Sequence, residues 1–325
     1  MNGIASQSWR ILKIVLPIVI VIGVGWQFAS ILRRPELSTD LFSVRVEWLI
    51  PGALLYLLAH SIFATFWVQL LASQGARIPW LFGVRAYFIS QFGKYVPGKA
   101  WVIVMRVAML RAFAPSRTIL ALTATYETLG TMAAGAGVGV LLTTFVLQSE
   151  SLAGREWMIV AIALIPLGFG LLHSLVNRIA KKYQRDSVAM PKLPFLLLVR
   201  GLLQSSVGWG LLGLSLWMTM QGLKAETSEL TWDAWLRSTA IVSLSYVIGF
   251  VVLVAPGGVG VREFFLQLWL TQELVTFHEY SPESAAGFAV VVALVLRLTW
   301  TIAEMIAIFF LYRFVRPPVV EGAAL

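Results

Sequence analysis

The 325-residue chain is 58% hydrophobic and only 13% charged, whereas a soluble domain has about 25% charged residues; a soluble enzyme is excluded. The formal net charge of +9 does not point to nucleic acid, because the basic residues sit in short loops beside apolar runs and not on the face of a soluble domain. With no cysteine in the chain, disulfides, thiolate metal sites and cysteine nucleophiles are excluded too.

In chain order, Arg10 and Lys13 precede an apolar run over 14–32, which is too long for a signal-peptide core and lacks a cleavage signature, so it reads as a first span. A second span covers 48–72. After Arg77, the apolar run over 81–110 is interrupted by Gln91-Phe92-Gly93-Lys94-Tyr95-Val96-Pro97-Gly98-Lys99. Proline removes a backbone donor and glycine removes helical bias. The limbs 81–92 and 98–110 would each reach about 18–20 Å, short of a hydrocarbon core about 30 Å thick, so this unit reads as a re-entrant hairpin.

A third span over 118–147 contains Glu127 and a stretch of small residues at 133–139 suited to close helix packing. The fourth covers 157–175 and is followed by a basic loop with Arg178, Lys181, Lys182, Arg185 and Lys192. The fifth covers 195–220 and leads to an acidic connection with Glu226, Glu229 and Asp233. The run over 236–274 is then broken by Ala255-Pro256-Gly257-Gly258-Val259-Gly260-Val261-Arg262-Glu263, where a helix should stop near Val254 and restart near Val259. A last span over 285–311 holds Arg297 and Glu304, two turns apart on one face.

Loop charges give this order a direction. If each broken unit enters and leaves on one side, most lysines and arginines collect on a single face, so both termini lie in the cytoplasm and the membrane is the cytoplasmic one. Residues 1–148 and 156–316 each contain two spans, a broken unit and a span. An odd number of spans per half inverts the second half relative to the first. The expected fold is therefore an all-α polytopic membrane protein, one transmembrane domain over 1–325, with an inverted repeat of six spans and two re-entrant hairpins at about 81–111 and 234–276. Ten full spans would place the loops on the same sides, and the limb over 236–254 is nearly long enough to cross alone.

The pair Gly93-Lys94-Tyr95-Val96-Pro97-Gly98-Lys99 and Ala255-Pro256-Gly257-Gly258-Val259-Gly260-Val261-Arg262-Glu263, in this order and spacing, resembles the lysylphosphatidylglycerol synthase transmembrane-region family of flippase-like proteins. In larger members, the resemblance implies, this region moves an aminoacylated phospholipid across the bilayer while a separate soluble domain synthesises it. The short tail after the last span leaves no room here for such a synthase domain, which argues against an aminoacyl substrate and against enzyme activity.

Broken backbone in hydrocarbon is tolerated only where it is buried in protein or lines a wet cavity. The break residues Gly93, Pro97, Gly98, Pro256, Gly257, Gly258 and Gly260 are thus the expected working parts. Lys94, Lys99, Arg262 and Glu263 flank them, and cations beside half-helix N-termini suit an anionic lipid headgroup; pairing of Lys99 and Arg262 with carboxylates is the structural alternative. Glu127 and Arg297 lie inside spans, where charges face a bundle interior, either as part of a substrate or proton relay or in pairs such as Glu127 with Arg297 or Arg106. Arg106, Arg111 and Arg200 are expected to snorkel to the cytoplasmic face. His60, His173 and His278 share no ligand-like spacing, so neither metal nor cofactor is expected.

These features favour a lipid flippase, or a transporter of a lipid-linked anionic substrate, with membrane lipids as its partners. A membrane-embedded transferase with a lipid-linked donor, or a non-transporting scaffold for a partner lipid-modifying enzyme, are the alternatives. No catalytic cluster and no nucleotide-binding loop are evident, so transport would be passive or driven by an ion gradient. The sequence carries no signal for oligomeric state.

Overall fold

The computed structural model describes residues 44–95, 101–114, 116–146, 193–223, 229–251 and 260–318, and among these every regular element is a helix. The helices are α1 (Val46–Ser73), α2 (Trp80–Ser90), α3 (Trp101–Leu110), α4 (Arg117–Val146), α5 (Phe195–Leu223), α6 (Trp232–Val251), α7 (Val261–His278) and α8 (Pro282–Phe314). The first and fourth expected spans lie outside the described residues, as do Pro97, Gly98, Lys99, Pro256, Gly257 and Gly258.

Helix boundaries follow local chemistry. At α8, Ser281 caps the N-terminus by accepting from the Ser284 amide at 3.3 Å, and Pro282 takes the first helical position, where a missing N–H costs nothing. α7 ends at Glu279, whose φ of 57° turns the chain into the left-handed region. Four helices, α1, α5, α6 and α8, are long and apolar enough to cross a membrane. α4 has 30 residues and so extends about 45 Å.

The broken units differ from expectation in two details. The first limb of the first unit does not stop at Phe92: α2 passes into a 3-10 helix over Gln91–Tyr95, so its 11 and 5 residues together reach about 26 Å. Of the second limb, the described α3 has 10 residues and extends about 15 Å. In the second unit α6 begins at Trp232, ahead of the expected limb, and its 20 residues to Val251 give about 30 Å, enough to cross alone.

Small residues set the helix approaches. Side chains at Gly201 and Gly208 of α5 would run into the rings of Phe66 and Phe63, so α1 and α5 lie close, and Ser215 Oγ donates to the Gly52 carbonyl across them at 2.7 Å. The contact network has a simple form. α1 packs on α5; α4 packs on α5 as α8 does on α1; and α4 packs on α6 as α8 does on α2. Likewise α1 meets α2 as α5 meets α6, α3 meets α4 as α7 meets α8, α2 meets α3 as α6 meets α7, and α1 meets α4 as α5 meets α8. Exchanging α1–α4 for α5–α8 in order maps these contacts onto themselves.

Candidate functional site

Each break is closed by a glycine against the first turn of the next limb. A Cβ at Gly93 would lie 2.5 Å from the Val102 amide nitrogen and 2.7 Å from the Trp101 carbonyl carbon, so the 3-10 segment touches α3 backbone to backbone. At Gly249 of α6 a Cβ would lie 2.9 Å from Cβ of Arg262, one residue into α7. Gly260, just before α7, has a φ of 89°, a conformation that only glycine adopts cheaply, and its N–H donates to Glu263 Oε2 at 2.7 Å. The Glu263 carboxylate thereby caps the helix that it belongs to.

The charges around the breaks form two groups. In one, Lys94 Nζ donates to both oxygens of Glu304 on α8, at 2.7 and 2.9 Å. Glu263 accepts from Arg262 at 2.6 Å and also from Arg297 of α8, and the Arg262 guanidinium lies 4.2 Å from the centre of the Tyr246 ring. Three cations, Lys94, Arg262 and Arg297, thus stand against two carboxylates, Glu263 and Glu304, for a net charge of +1 among the described residues. Arg297 and Glu304 share a face of α8, but they do not pair with each other there; each reaches a different break.

In the second group Arg106 Nη1 donates to Glu127 Oε2 at 2.6 Å, with the two side chains 1% and 2% exposed. Tyr87, Thr128 and Thr131 also donate to Glu127, at 3.3, 3.3 and 3.2 Å. Arg106 further donates to Ser90 Oγ at 3.2 Å and is packed between the rings of Trp67 and Tyr87. This corrects the expectation that Arg106 snorkels: a carboxylate one helix away and two ring faces hold it in the interior. Arg111 and Arg200 are exposed. Of the two partners proposed for Glu127, the interior supplies Arg106, and Arg297 goes to Glu263 instead.

Between these groups lies a cavity of about 470 Å³, lined by Lys94 from the first break, Arg262 from the second, and Arg106 and Glu127 between them. Its volume falls in the range of about 300–1,000 Å³ usual for small-ligand sites. Much of the wall is aromatic: Tyr56, His60, Phe63, Trp209 and Tyr246 line it, and Trp300 completes their circuit. Ring neighbours run from Tyr56 to His60 (4.1 Å between centres), to Phe63 (5.5 Å), to Trp209 (6.1 Å), to Tyr246 (6.0 Å), to Trp300 (5.5 Å) and back to Tyr56 (4.8 Å). The polar edges of this closed circuit are satisfied elsewhere: Trp209 Nε1 donates to the Thr131 carbonyl at 2.8 Å, and Trp300 Nε1 to Ser215 Oγ at 2.8 Å. Among the described residues no cluster of histidine and carboxylate side chains could hold a metal ion.

The family model for the lysylphosphatidylglycerol synthase TM region matches residues 14–303. The chain belongs to that family. It is accordingly an all-α integral membrane protein in lipid metabolism or transport, as the two break motifs implied. No curated protein matches the chain. Within this family member, the sequence reading had singled out Lys94, Arg262, Glu263, Glu127 and Arg297, and all five stand in the two charge groups. It missed the aromatic circuit and Gly249. Tyr56, His60 and Phe63 repeat at helical spacing on one face of α1, but an aromatic stripe in a membrane helix looks the same whether it meets lipid, core or cavity.

Proposed function

We propose that this protein carries a phospholipid or lipid-linked anionic substrate across the cytoplasmic membrane and receives the headgroup in the cavity between its two broken units. One observation carries the reading: Lys94 and Arg262, the cations beside the two breaks and from opposite halves of the chain, line the same cavity. An anion entering there meets a surplus of positive charge, and charge-assisted hydrogen bonds are the strong ones. The exchange of α1–α4 with α5–α8 in the contact network supports an inverted repeat, the arrangement in which a central site is reached from either side in turn. Both termini are cytoplasmic in this proposal, the protein is a transporter and not an enzyme, and lipid flux is passive or coupled to an ion gradient.

The test is flux of labelled anionic lipid in liposomes holding the purified protein. Arg262→Gln leaves the Glu263–Arg297 pair in place, so it should lower flux about tenfold, the equivalent of one lost contact of about 1.4 kcal/mol, with little change in melting temperature. Normal flux with a large fall in melting temperature would reject the headgroup site. Topology has its own check. A single cysteine at position 181 should label from the cytoplasm and one at position 228 from outside, and labelling of both from one side overturns the inverted repeat.

A further inference from the structure

We propose, resting on the transport reading above, that the cavity takes headgroups in which a phosphate is joined to an uncharged, hydroxyl-bearing group, and that it rejects headgroups carrying an ammonium. The argument concerns what the cavity can offer each part of a ligand. Phosphate meets Lys94 and Arg262 in a group with one more cation than carboxylate. An ammonium has two usual partners in proteins, a carboxylate and an aromatic face.

The carboxylates, and the two ring faces nearest them, are already taken by the protein's own cations. Glu127 accepts from Arg106, Tyr87, Thr128 and Thr131; Glu263 is held by Arg262, Arg297 and the Gly260 amide; Glu304 is held by Lys94. The ring faces nearest the charges are occupied likewise, Tyr246 by Arg262 at 4.2 Å and Tyr87 by Arg106 at 4.3 Å. An ammonium would enter a group of net charge +1 and leave its water behind for no counter-charge. Unpaired charge of this kind is how sites reject a near-isosteric competitor.

A hydroxyl fares differently. His60 lines the cavity, and its Nδ1–H donates to the Tyr56 carbonyl at 3.0 Å, which leaves Nε2 as an acceptor. A hydroxyl can donate to that nitrogen, and the carbon skeleton that bears it can lie against the rings of Tyr56, Phe63 and Trp209. Glycerol phosphate and sugar phosphate lipids share this chemistry.

The experiment compares two soluble probes that differ only at one end, 2-hydroxyethyl phosphate and 2-aminoethyl phosphate, by thermal stabilisation of the purified full-length protein, alongside liposome flux of phosphatidylglycerol and phosphatidylethanolamine. Stabilisation by the hydroxyl probe at a concentration at least about tenfold below that needed for the amine supports the proposal. Equal or stronger stabilisation by the amine, or stabilisation by neither, overturns it. Flux separates this inference from the reading beneath it: selective stabilisation with no flux of any lipid leaves the selectivity standing and removes the transporter. A variant supplies the reverse case. Gln91→Glu adds a carboxylate to the wall and takes the group from a net charge of +1 to zero, and should move the preference toward the amine probe; an unchanged preference in a folded variant overturns the charge argument. Comparing phosphatidylglycerol with a polyprenyl phosphohexose then tells a polyol head from a sugar head.

Discussion

The two broken units use one plan with opposite chemistry. In each, a glycine near the end of the first limb lies against the opening turn of the second, and the second limb is ion-paired to the last helix of its own half: α3 to α4 through Arg106 and Glu127, α7 to α8 through Glu263 and Arg297. The signs are exchanged, with the cation on α3 in one case and the carboxylate on α7 in the other. So is the degree of burial. The first pair is 1% and 2% exposed, whereas Arg262 and Arg297 are 17% and 27% exposed beside the buried Glu263. A buried charge pair saturated with donors holds a structure; a less buried charge group with one more cation than carboxylate, open to a cavity, can exchange partners. We propose that the Arg106–Glu127 pair fixes one wall of the cavity and that the Glu263 group, with Lys94, is its exchangeable side.

Removing one partner from each unit gives the largest contrast. Glu127→Gln strands Arg106 in the interior and should cost about 3–5 kcal/mol. Glu263→Gln keeps a group able to cap α7 and leaves two arginines that are only partly buried, so about 1–2 kcal/mol is expected. Chemical unfolding in one detergent measures both. Equal losses would mean that the second group is as sealed as the first.

The glycines come next. Gly93→Ala drives a methyl into the backbone of α3, which cannot rotate away, and should destabilise by about 1–3 kcal/mol with separation of the two limbs. At Gly249 the obstacle is the Arg262 side chain with its nearby backbone at 3.3 Å, and alanine also favours the helix, so the net change should stay within about 1 kcal/mol. A larger loss at Gly249 than at Gly93 would reverse the assignment of fixed wall and exchangeable side.

The smallest effect is the coupling that ties the first break to the last helix. A double-mutant cycle of Lys94→Gln and Glu304→Gln should give about 1 kcal/mol, because Lys94 is 28% exposed and lines the cavity. Coupling near zero would leave the two units energetically independent and restrict headgroup binding to the Arg262 end.

Much of this molecule is written along the chain. Apolar runs, the Ser281-Pro282 cap, and the clusters of glycine and proline at both breaks define helices and interruptions through transfer energies and backbone preferences that act within a few residues. The presence of charge inside spans is equally legible, since such residues must face the interior. Their partners are not. That Glu304 reaches Lys94, that Arg106 turns inward to Glu127, and that six rings from α1, α5, α6 and α8 close into one circuit depend on how far each helix is rotated and how closely it approaches neighbours distant in sequence. Packing of small residues such as Gly201, Gly208 and Gly93 sets those approaches, and only the assembled helices decide which charge meets which.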